Sequence, residues 1–150
     1  MGKITLMDND LIISVVPSTM IDLIWDKVLP HIRMVEEKSP EDISSDVTKE
    51  GLMKGELLLV VISRKVNIIA INVLDIRTLD TGMKVLYIPI TAGAEMELWL
   101  DNFLKIIIAI AKDYNCVELR GLAVRNGWLR KLKPYGWDEL FTTIRYKIGE

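Results

Sequence analysis

The sequence is poor in the side chains that most often carry nucleophilic or metal chemistry. Its 150 residues include one cysteine, Cys116, and one histidine, His31. A single cysteine cannot form an internal disulfide, and one imidazole cannot anchor a histidine-rich metal site. Catalysts built on a Cys–His pair, a zinc cluster or a Ser–His–Asp triad are therefore nearly excluded.

An excess of basic charge is also missing. Nineteen Lys and Arg residues against 21 Asp and Glu residues give a net charge of −2. Proteins with a broad nucleic-acid footprint usually carry a basic excess, so we expect none here. Half of the residues are hydrophobic, and no repeat or low-complexity stretch divides the chain. We therefore predict a single globular domain over residues 1–150.

Neither a signal peptide nor a membrane span is evident. The first ten residues include Asp8 and Asp10 and lack the basic start and apolar stretch of a secretory signal. The most apolar window, Phe103 to Ala111, falls far short of the ~20 residues that cross a bilayer. We expect this window to be a buried helix and the protein to be cytoplasmic.

The spacing of apolar residues predicts a mixed order of strands and helices. A strand at Leu11–Val16 is followed by a helix capped by Ser18 and ended or kinked at Pro30. A second helix is expected to start at Ser39–Asp42, to bury Ile43 and Val47, and to stop at Gly55. Three strands then follow at residues 56–63, 68–77 and 85–90, joined by short turns as an antiparallel meander.

The last third of the chain predicts a crossover. A long helix over about residues 95–114 connects the third meander strand to a strand at residues 116–124, so those two strands should be parallel. A short helix at residues 126–133 and one or two antiparallel strands within residues 137–148 complete the chain. The predicted class is α+β, in the order β-α-α-β-β-β-α-β-α-β.

This order of elements resembles the GNAT fold of acetyl-CoA-dependent N-acetyltransferases over almost the whole chain. The pair Trp99–Leu100 and the stretch from Cys116 to Leu132 look more narrowly like the short GNAT-like proteins of tailed bacteriophages, some of which are carried in the virion. The narrower resemblance implies a virion or host protein as the partner, and the host cytoplasm or the virion as the location.

The resemblance implies a coenzyme A site at the start of the long helix. GNAT enzymes have an Arg/Gln-x-x-Gly-x-Gly/Ala loop there, and in this sequence only Gly93 and Ala94 fit it. Small residues and a helix N-terminus favour a diphosphate, whereas Glu95 and Glu97 would repel one. An ordinary turn followed by helix-stabilising acids is the alternative interpretation.

A second part of that site is expected where the two parallel strands diverge. Pro89 cannot donate a ladder hydrogen bond and so favours a bulge or an opening in its strand. In GNAT enzymes the pantetheine arm of coenzyme A enters this opening. Tyr87 and residues 88–90 would line it, with Ile88 and Ile90 as cofactor-binding candidates.

The closing motif departs from the family pattern. When Gly136–Trp137 is aligned with the Gly-Phe that ends the pattern, Leu132 stands where the family has its general-acid tyrosine. Tyr135 comes three places too late, and Asn126, the third cofactor-binding candidate, is one place short in spacing. A leucine cannot protonate a departing thiolate, which weakens the enzyme interpretation.

Candidate general bases are few. Glu118 is the catalytic candidate, since a half-buried carboxylate with a raised pKa can take a proton from an amine. Glu118 and Arg120 are two residues apart on one strand, so an ion pair across one face is the alternative. Asp75, in the middle of the meander, is the other candidate general base.

The helix after the crossover strand carries an aromatic residue among cations. Trp128 stands near Arg130, Lys131 and Lys133. Such combinations favour protein interfaces, so these four residues are predicted to form a partner surface. A tryptophan packed in the core and a solvated basic face remain open as alternatives.

Two functions follow from these observations. The first is a non-catalytic, phage-type GNAT-like protein with degenerate motifs that acts as a virion or host-interaction component. The second is an acetyl-CoA-dependent N-acetyltransferase acting on an amine of a protein or small molecule. Acetyl-CoA is the one cofactor implied, and we expect it to bind with a Kd above roughly 100 μM, if at all.

Overall fold

The computed structural model describes residues 4–6, 10–122 and 126–149. The strands in these ranges are β1 (Ile4–Leu6), β2 (Leu11–Val16), β3 (Leu58–Arg64), β4 (Asn67–Thr78), β5 (Lys84–Gly93) and β6 (Glu118–Gly121). The α-helices are α1 (Ile21–Lys38), α2 (Ser45–Met53), α3 (Met96–Asp113) and α4 (Asn126–Leu132). Short 3-10 helices precede α1 at Ser18–Met20 and follow α4 at Lys133–Tyr135.

The strands form one sheet in the order β1-β2-β3-β4-β5-β6. The β3–β4–β5 meander is antiparallel, as predicted, and β5 pairs with β6 in parallel through the α3 crossover. Strand β1, which the sequence did not indicate, adds an edge beside β2. The α+β class with one parallel pair is therefore confirmed.

A hydrophobic core lies on each face of the sheet. On one face, Trp99, Phe103 and Ile107 of α3 pack with β-strand residues that include Leu86 and Ile88. On the other face, Val28 and Ile32 of α1 and Leu52 of α2 pack with a second set of strand residues. Strands covered on both faces bury alternate side chains in different cores, which explains their near-continuous apolar sequences.

The start of α1 and the effect of Pro30 differ from the prediction. Ser18 does not cap the helix, because a 3-10 turn intervenes and Met20 precedes the first helical residue without a side-chain cap. The helix runs through Pro30 to Lys38, because Val28 and Ile32 continue the same buried face while Pro30 lies on the exposed side.

Helix α2 begins later than predicted. Ser44, not Ser39, is the N-cap, and its Oγ accepts a hydrogen bond from the Val47 amide at 3.3 Å. Glu41 has a φ of 67°, which interrupts helical geometry just after Pro40. The buried residues of α2 are Ser45, Thr48, Gly51 and Leu52, so the prediction that Val47 is buried is wrong. Gly55 ends the turn after α2 with a φ of 76°, as expected.

The predicted strand after α4 is absent. Residues 137–149 contain no strand, and apart from Trp137 their side chains are exposed. Their apolar residues lack a sheet neighbour in this single chain, so local alternation alone does not form a strand. Across the described ranges, no helix has the length and hydropathy needed to cross a membrane.

Candidate functional site

A bulge in the middle of β5 creates the most distinctive feature of the sheet. The register with β4 shifts between Val73 and Asp75, where Ile88 and Pro89 of β5 stand opposite one residue of β4. Leu86 and Ile88 therefore pack in the core that contains α3. Ile90 is also an even-numbered residue of the strand, but it packs in the core on the opposite face, which contains α1. Proline at a bulge costs no ladder hydrogen bond, which explains the position of Pro89.

Strands β5 and β6 diverge at the same point. Their parallel pairing runs from Val85 opposite Glu118 to Ile88 opposite Gly121. The Leu122 amide then donates to the Ile88 carbonyl at 3.5 Å, and β5 continues to Gly93 without a described strand on that side. The opening expected beside Pro89 is thus present.

Residues 89–93, the open half of β5, lie beyond the pairing with β6 and direct backbone groups into this opening. The Ala94 amide donates to the Ile69 carbonyl of β4 at 3.0 Å. Because antiparallel residues alternate, the peptide groups of Ile90 and Ala92 also face β4, while those of Thr91 and Gly93 face away from it. The amides of Thr91 and Gly93 therefore point into the opening, whereas the amide of Ala94 is already hydrogen-bonded to β4.

Gly93 is required by the sheet itself. Its φ is 129°, and a Cβ built on it would lie 2.4 Å from both the Ala70 Cα and the Ile69 carbonyl oxygen. Gly93 and Ala70 form a pair that is not hydrogen-bonded, the kind in which antiparallel strands approach most closely. The glycine that resembles the family loop thus has a structural reason to be there, whether or not a ligand contacts it.

An ion pair neutralises the acid at the start of α3. Glu95 adopts a left-handed conformation with a φ of 58°, and Arg64 at the end of β3 binds both carboxylate oxygens at 3.0 Å. This hydrogen bonding lowers the pKa of Glu95 and raises the pKa of Arg64. The sequence predicts that Glu95 repels an anion, whereas in the structure Arg64 compensates its charge. Because 31 residues separate the two partners, no local pattern indicates the pair.

A cleft of about 390 Å³ occupies the opening. Its walls come from the end of α1 (Met34, Val35, Lys38), Pro89, residues 91–97, Leu122, and α4 (Gly127, Trp128, Lys131). Lys38 and Lys131 enter from different helices, and the first amides of α3 have no partner within that helix. The cleft therefore combines a largely apolar lining with two lysines and the positively polarised start of α3.

The predicted cofactor-binding residues occupy different positions around this cleft. Gly93 and Ala94 line it. Ile88 and Ile90 are 2 % and 1 % exposed, pack in opposite cores and are not among the residues that line the cleft. The side chain of Asn126 lies outside the described part of the structure. Lys38 was not among the predicted site residues, because a lysine that ends an amphipathic helix carries no functional signal by itself.

The predicted partner surface of Trp128, Arg130, Lys131 and Lys133 is not formed as expected, because Trp128 is buried. Trp128 is only 9 % exposed and joins the α3 core, so it is not an exposed aromatic anchor. Lys131 lines the cleft, and Arg130 and Lys133 are exposed on the outside of the same segment. Leu132, at the tyrosine position of the family pattern, is 3 % exposed and part of the core.

A polar cluster lies on the sheet face opposite α3, where β5 and β6 are paired. Leu86 and Leu119 face α3, so their neighbours Tyr87 and Arg120, which are in register, face the other way. The guanidinium of Arg77 stacks 4.0 Å from the Tyr87 ring centroid. Burial is the main cause that raises the pKa of Tyr87, so its phenol is protonated at neutral pH.

Two ion pairs complete this polar cluster. Arg77 Nε lies 2.7 Å from Asp75 Oδ2, and Arg120 Nε lies 3.5 Å from Glu118 Oε1. The Glu118–Arg120 pairing considered from the sequence is therefore present. The Glu118 side chain is 41 % exposed, so its carboxylate remains accessible to a substrate.

Comparisons with solved structures identify the architecture. An aminoglycoside acetyltransferase from an uncultured soil metagenomic sample, solved with trehalose, has a TM-score of 0.70 at 14 % identity, covering 95 % of this chain and 99 % of that chain. A predicted acetyltransferase from Clostridium acetobutylicum, solved with acetyl-CoA, has a TM-score of 0.66 at 14 % identity, covering 91 % and 96 %. The chain has the GNAT fold.

A third solved structure agrees with this assignment. The ribosomal-protein-alanine N-acetyltransferase of Brucella melitensis biovar Abortus 2308 has a TM-score of 0.66 at 10 % identity, covering 93 % of this chain and 99 % of that chain. No family model and no curated protein matches the sequence. At such low identity the likeness establishes the fold, and function depends on the site.

Proposed function

We propose that the protein is an acetyl-CoA-dependent N-acetyltransferase acting on an amine of a protein or small molecule. The observation that carries this proposal is the cleft beside the open half of β5, which ends at the N-terminus of α3. A similar fold solved with acetyl-CoA supports the proposal from outside the chain.

The residues of the cleft suit an elongated, polyanionic ligand. Lys38 and Lys131 line the cleft and would attract phosphates, and the α3 N-terminus adds partial positive charge. The Thr91 and Gly93 amides face the cleft, have no strand partner among the described residues, and can donate to an amide-containing arm such as pantetheine. Glu97 opposes anion binding, whereas Arg64 compensates the charge of Glu95. On balance these residues fit coenzyme A without the arginine of the family loop.

The polar cluster supplies the groups that amine acetylation needs. When bound, acetyl-CoA supplies the acetyl thioester. The Glu118 carboxylate is accessible and can accept the proton that the amine loses as it attacks the carbonyl carbon. Tyr87 keeps its phenolic proton at neutral pH and can donate it to the departing thiolate, a role that Leu132 cannot fill.

Calorimetric titration with acetyl-CoA tests the proposal. We now expect a Kd below roughly 100 μM, because the ion pair to Glu95 and the lysines make the cleft more favourable than its sequence suggested. Lys131→Glu should weaken binding about tenfold or more, because it reverses a charge that lines the cleft.

Arg130→Glu is the matched control on the same helix. Arg130 is exposed outside the cleft, so this variant should change the Kd by less than about threefold. Absence of binding at millimolar acetyl-CoA, or equal losses in the two variants, would contradict the proposal.

A second candidate is the non-catalytic, phage-type component that binds a virion or host protein. Two observations favour it: Leu132 is buried where the family has its tyrosine, and Arg130 and Lys133 form an exposed basic pair. The solved structures compared above are described as acetyltransferases, which supports the enzyme first. Failure of the titration, combined with loss of a co-purifying protein on charge reversal at Arg130 and Lys133, would reverse this order.

A further inference from the structure

One polar side chain is fully buried in the middle of the sheet. Asn72, on β4, is 0 % exposed, and its Nδ2 has no hydrogen-bond partner among the described residues. Ala70 and Leu74, its neighbours on the same face of the strand, belong to the apolar core that contains α3. An unpaired buried donor destabilises a fold, whereas an apolar side chain of similar shape would not. Packing alone therefore does not explain an asparagine at this position.

Asn72 holds the hydroxyl group of Thr91 on the neighbouring strand. The two residues stand opposite each other in β4 and β5, and Thr91 Oγ1 donates a hydrogen bond to Asn72 Oδ1 at 2.8 Å. No backbone hydrogen bonds join this pair, and in such pairs the side chains approach most closely. Thr91, unlike Asn72, is half-buried and lines the cleft. A buried side chain thus fixes the rotation of a hydroxyl in the cleft wall.

This hydrogen bond makes the Thr91 hydroxyl an acceptor toward a ligand. A hydroxyl group has one proton and two lone pairs. The proton is directed at Asn72 on β4, so only lone pairs remain for a group in the cleft. The backbone amide of Thr91 faces the cleft as a donor. Thr91 therefore offers one donor and one acceptor, and a secondary amide, which has one of each, is complementary to both.

We propose that Thr91 binds a secondary amide of the ligand arm through both groups, and that Asn72 is the positioning residue that keeps the Thr91 hydroxyl in its accepting orientation. The carbonyl of the ligand amide accepts from the Thr91 backbone N–H, and the N–H of the same amide donates to Thr91 Oγ1. This proposal rests on the acetyl-CoA site proposed above and adds a side-chain contact to its backbone donors. It also assigns the buried asparagine a role in binding instead of folding.

Calorimetric titration of variants of the full chain with two ligands tests the proposal. Thr91→Val removes the hydroxyl with little change in the shape of the side chain, and Asn72→Leu removes the group that orients the hydroxyl. Each variant should weaken acetyl-CoA binding about tenfold, because the N–H of the ligand amide loses its acceptor. Binding of 3′-phospho-ADP, the nucleotide part of coenzyme A without the pantetheine arm, should change by less than about twofold.

Two further variants and a thermal melt exclude a purely structural role. Thr91→Ser keeps the hydroxyl and should bind acetyl-CoA within about threefold of the wild type. Thr48→Val is the matched control, because Thr48 Oγ1 donates to the Ser44 carbonyl at 2.8 Å on α2, which contributes no residue to the cleft wall. It should leave both affinities unchanged. Asn72→Leu should not lower the Tm, since it removes an unpaired buried donor. A lower Tm with unchanged acetyl-CoA affinity would overturn the proposal.

The two ligands also separate this proposal from the proposed function. If the wild type binds acetyl-CoA and Thr91→Val binds it equally well, amide recognition by Thr91 is wrong while the acetyl-CoA site stands. Equal losses for acetyl-CoA and 3′-phospho-ADP would overturn it as well, because the variants would then disturb the whole cleft. A wild type that binds neither ligand would contradict the acetyl-CoA site and this proposal with it. Because Thr91 is half-buried, Thr91→Val decides the matter even if Asn72→Leu fails to fold.

Discussion

The two halves of β5 belong to one strand but have different surroundings. The first half, Lys84–Ile88, has β4 on one side and β6 on the other. The second half, Pro89–Gly93, keeps β4 but loses β6, and its outer side faces the cleft. A single extra residue at the bulge separates the half that stabilises the sheet from the half that can bind a ligand.

This difference shows how a sheet can present backbone groups to a ligand without an exposed edge strand. The closed half satisfies its peptide groups within the sheet, while the open half retains the Thr91 and Gly93 amides in a partly enclosed cleft. Unpaired amides are costly when buried, so a ligand that accepts hydrogen bonds would be stabilised there.

The largest effect is expected for Gly93→Ala in the open half. Its left-handed φ and the 2.4 Å approach to β4 predict a loss of about 3 kcal/mol in the free energy of unfolding. Gly82→Ala is the matched control, since Gly82 has a φ of 90° and a Cβ added there would meet no atom within 4 Å. It should cost about 1 kcal/mol. Urea denaturation measures both, and equal losses would show that Gly93 is not held by β4.

In the closed half, Tyr87→Phe should affect chemistry rather than folding. If Tyr87 donates a proton to the thiolate, kcat should fall about 100-fold while the Kd of acetyl-CoA changes little. Thiol release with the best acceptor from a panel of amines measures kcat. Tyr135→Phe removes a hydroxyl that is exposed after α4 and should leave kcat unchanged. A Tyr87→Phe variant with wild-type kcat would assign the proton transfer elsewhere.

The smallest effect concerns the ion pair beside the open half. The pKa of Glu95 is lowered in the folded chain, so the unfolded chain binds more protons. The stabilisation is complete above the ordinary value of 4.5 and is lost as the pH falls through the folded pKa. Arg64→Met should therefore lower the Tm at pH 7 but much less at pH 3, and the solvent exposure of both partners keeps the difference small.

A difference in Tm that stays the same from pH 7 to pH 3 would contradict this account of Glu95. Lys54→Met is a suitable control, because it removes an exposed partner from Glu50 on α2, away from the cleft. That variant should show the same direction of pH dependence without any change in acetyl-CoA affinity. Arg64→Met, in contrast, should weaken acetyl-CoA binding by leaving Glu95 uncompensated at the cleft.

The sequence predicted the parts of the fold that depend on neighbouring residues. Strand β2, the meander, the crossover and the opening at Pro89 follow from local alternation, turns and proline chemistry. The start of α2 was wrong because Glu36, on the preceding helix, accepts a hydrogen bond from the Ser45 amide at 2.7 Å. Such a contact across nine residues competes with the Ser39–Pro40 signal and is invisible in a local pattern.

The candidate site was less predictable for the same reason. The Arg64–Glu95 pair and the presence of Lys38 and Lys131 in one cleft depend on tertiary packing of distant elements. Trp128 was misjudged because its helix folds onto the α3 core, a contact that a basic neighbourhood does not reveal. The final strand was wrong because alternation specifies a face but not the presence of a neighbouring strand.

Residue-resolved amide hydrogen exchange, with and without saturating acetyl-CoA, tests most directly whether the open half of β5 is the binding surface. We expect the Thr91 and Gly93 amides to exchange readily in the free protein and to become protected by the ligand. The amides of Val85–Ile88, already paired within the sheet, should change little. Unchanged exchange at Thr91 and Gly93 in the presence of the ligand would contradict the claim that the open half of β5 is the binding surface.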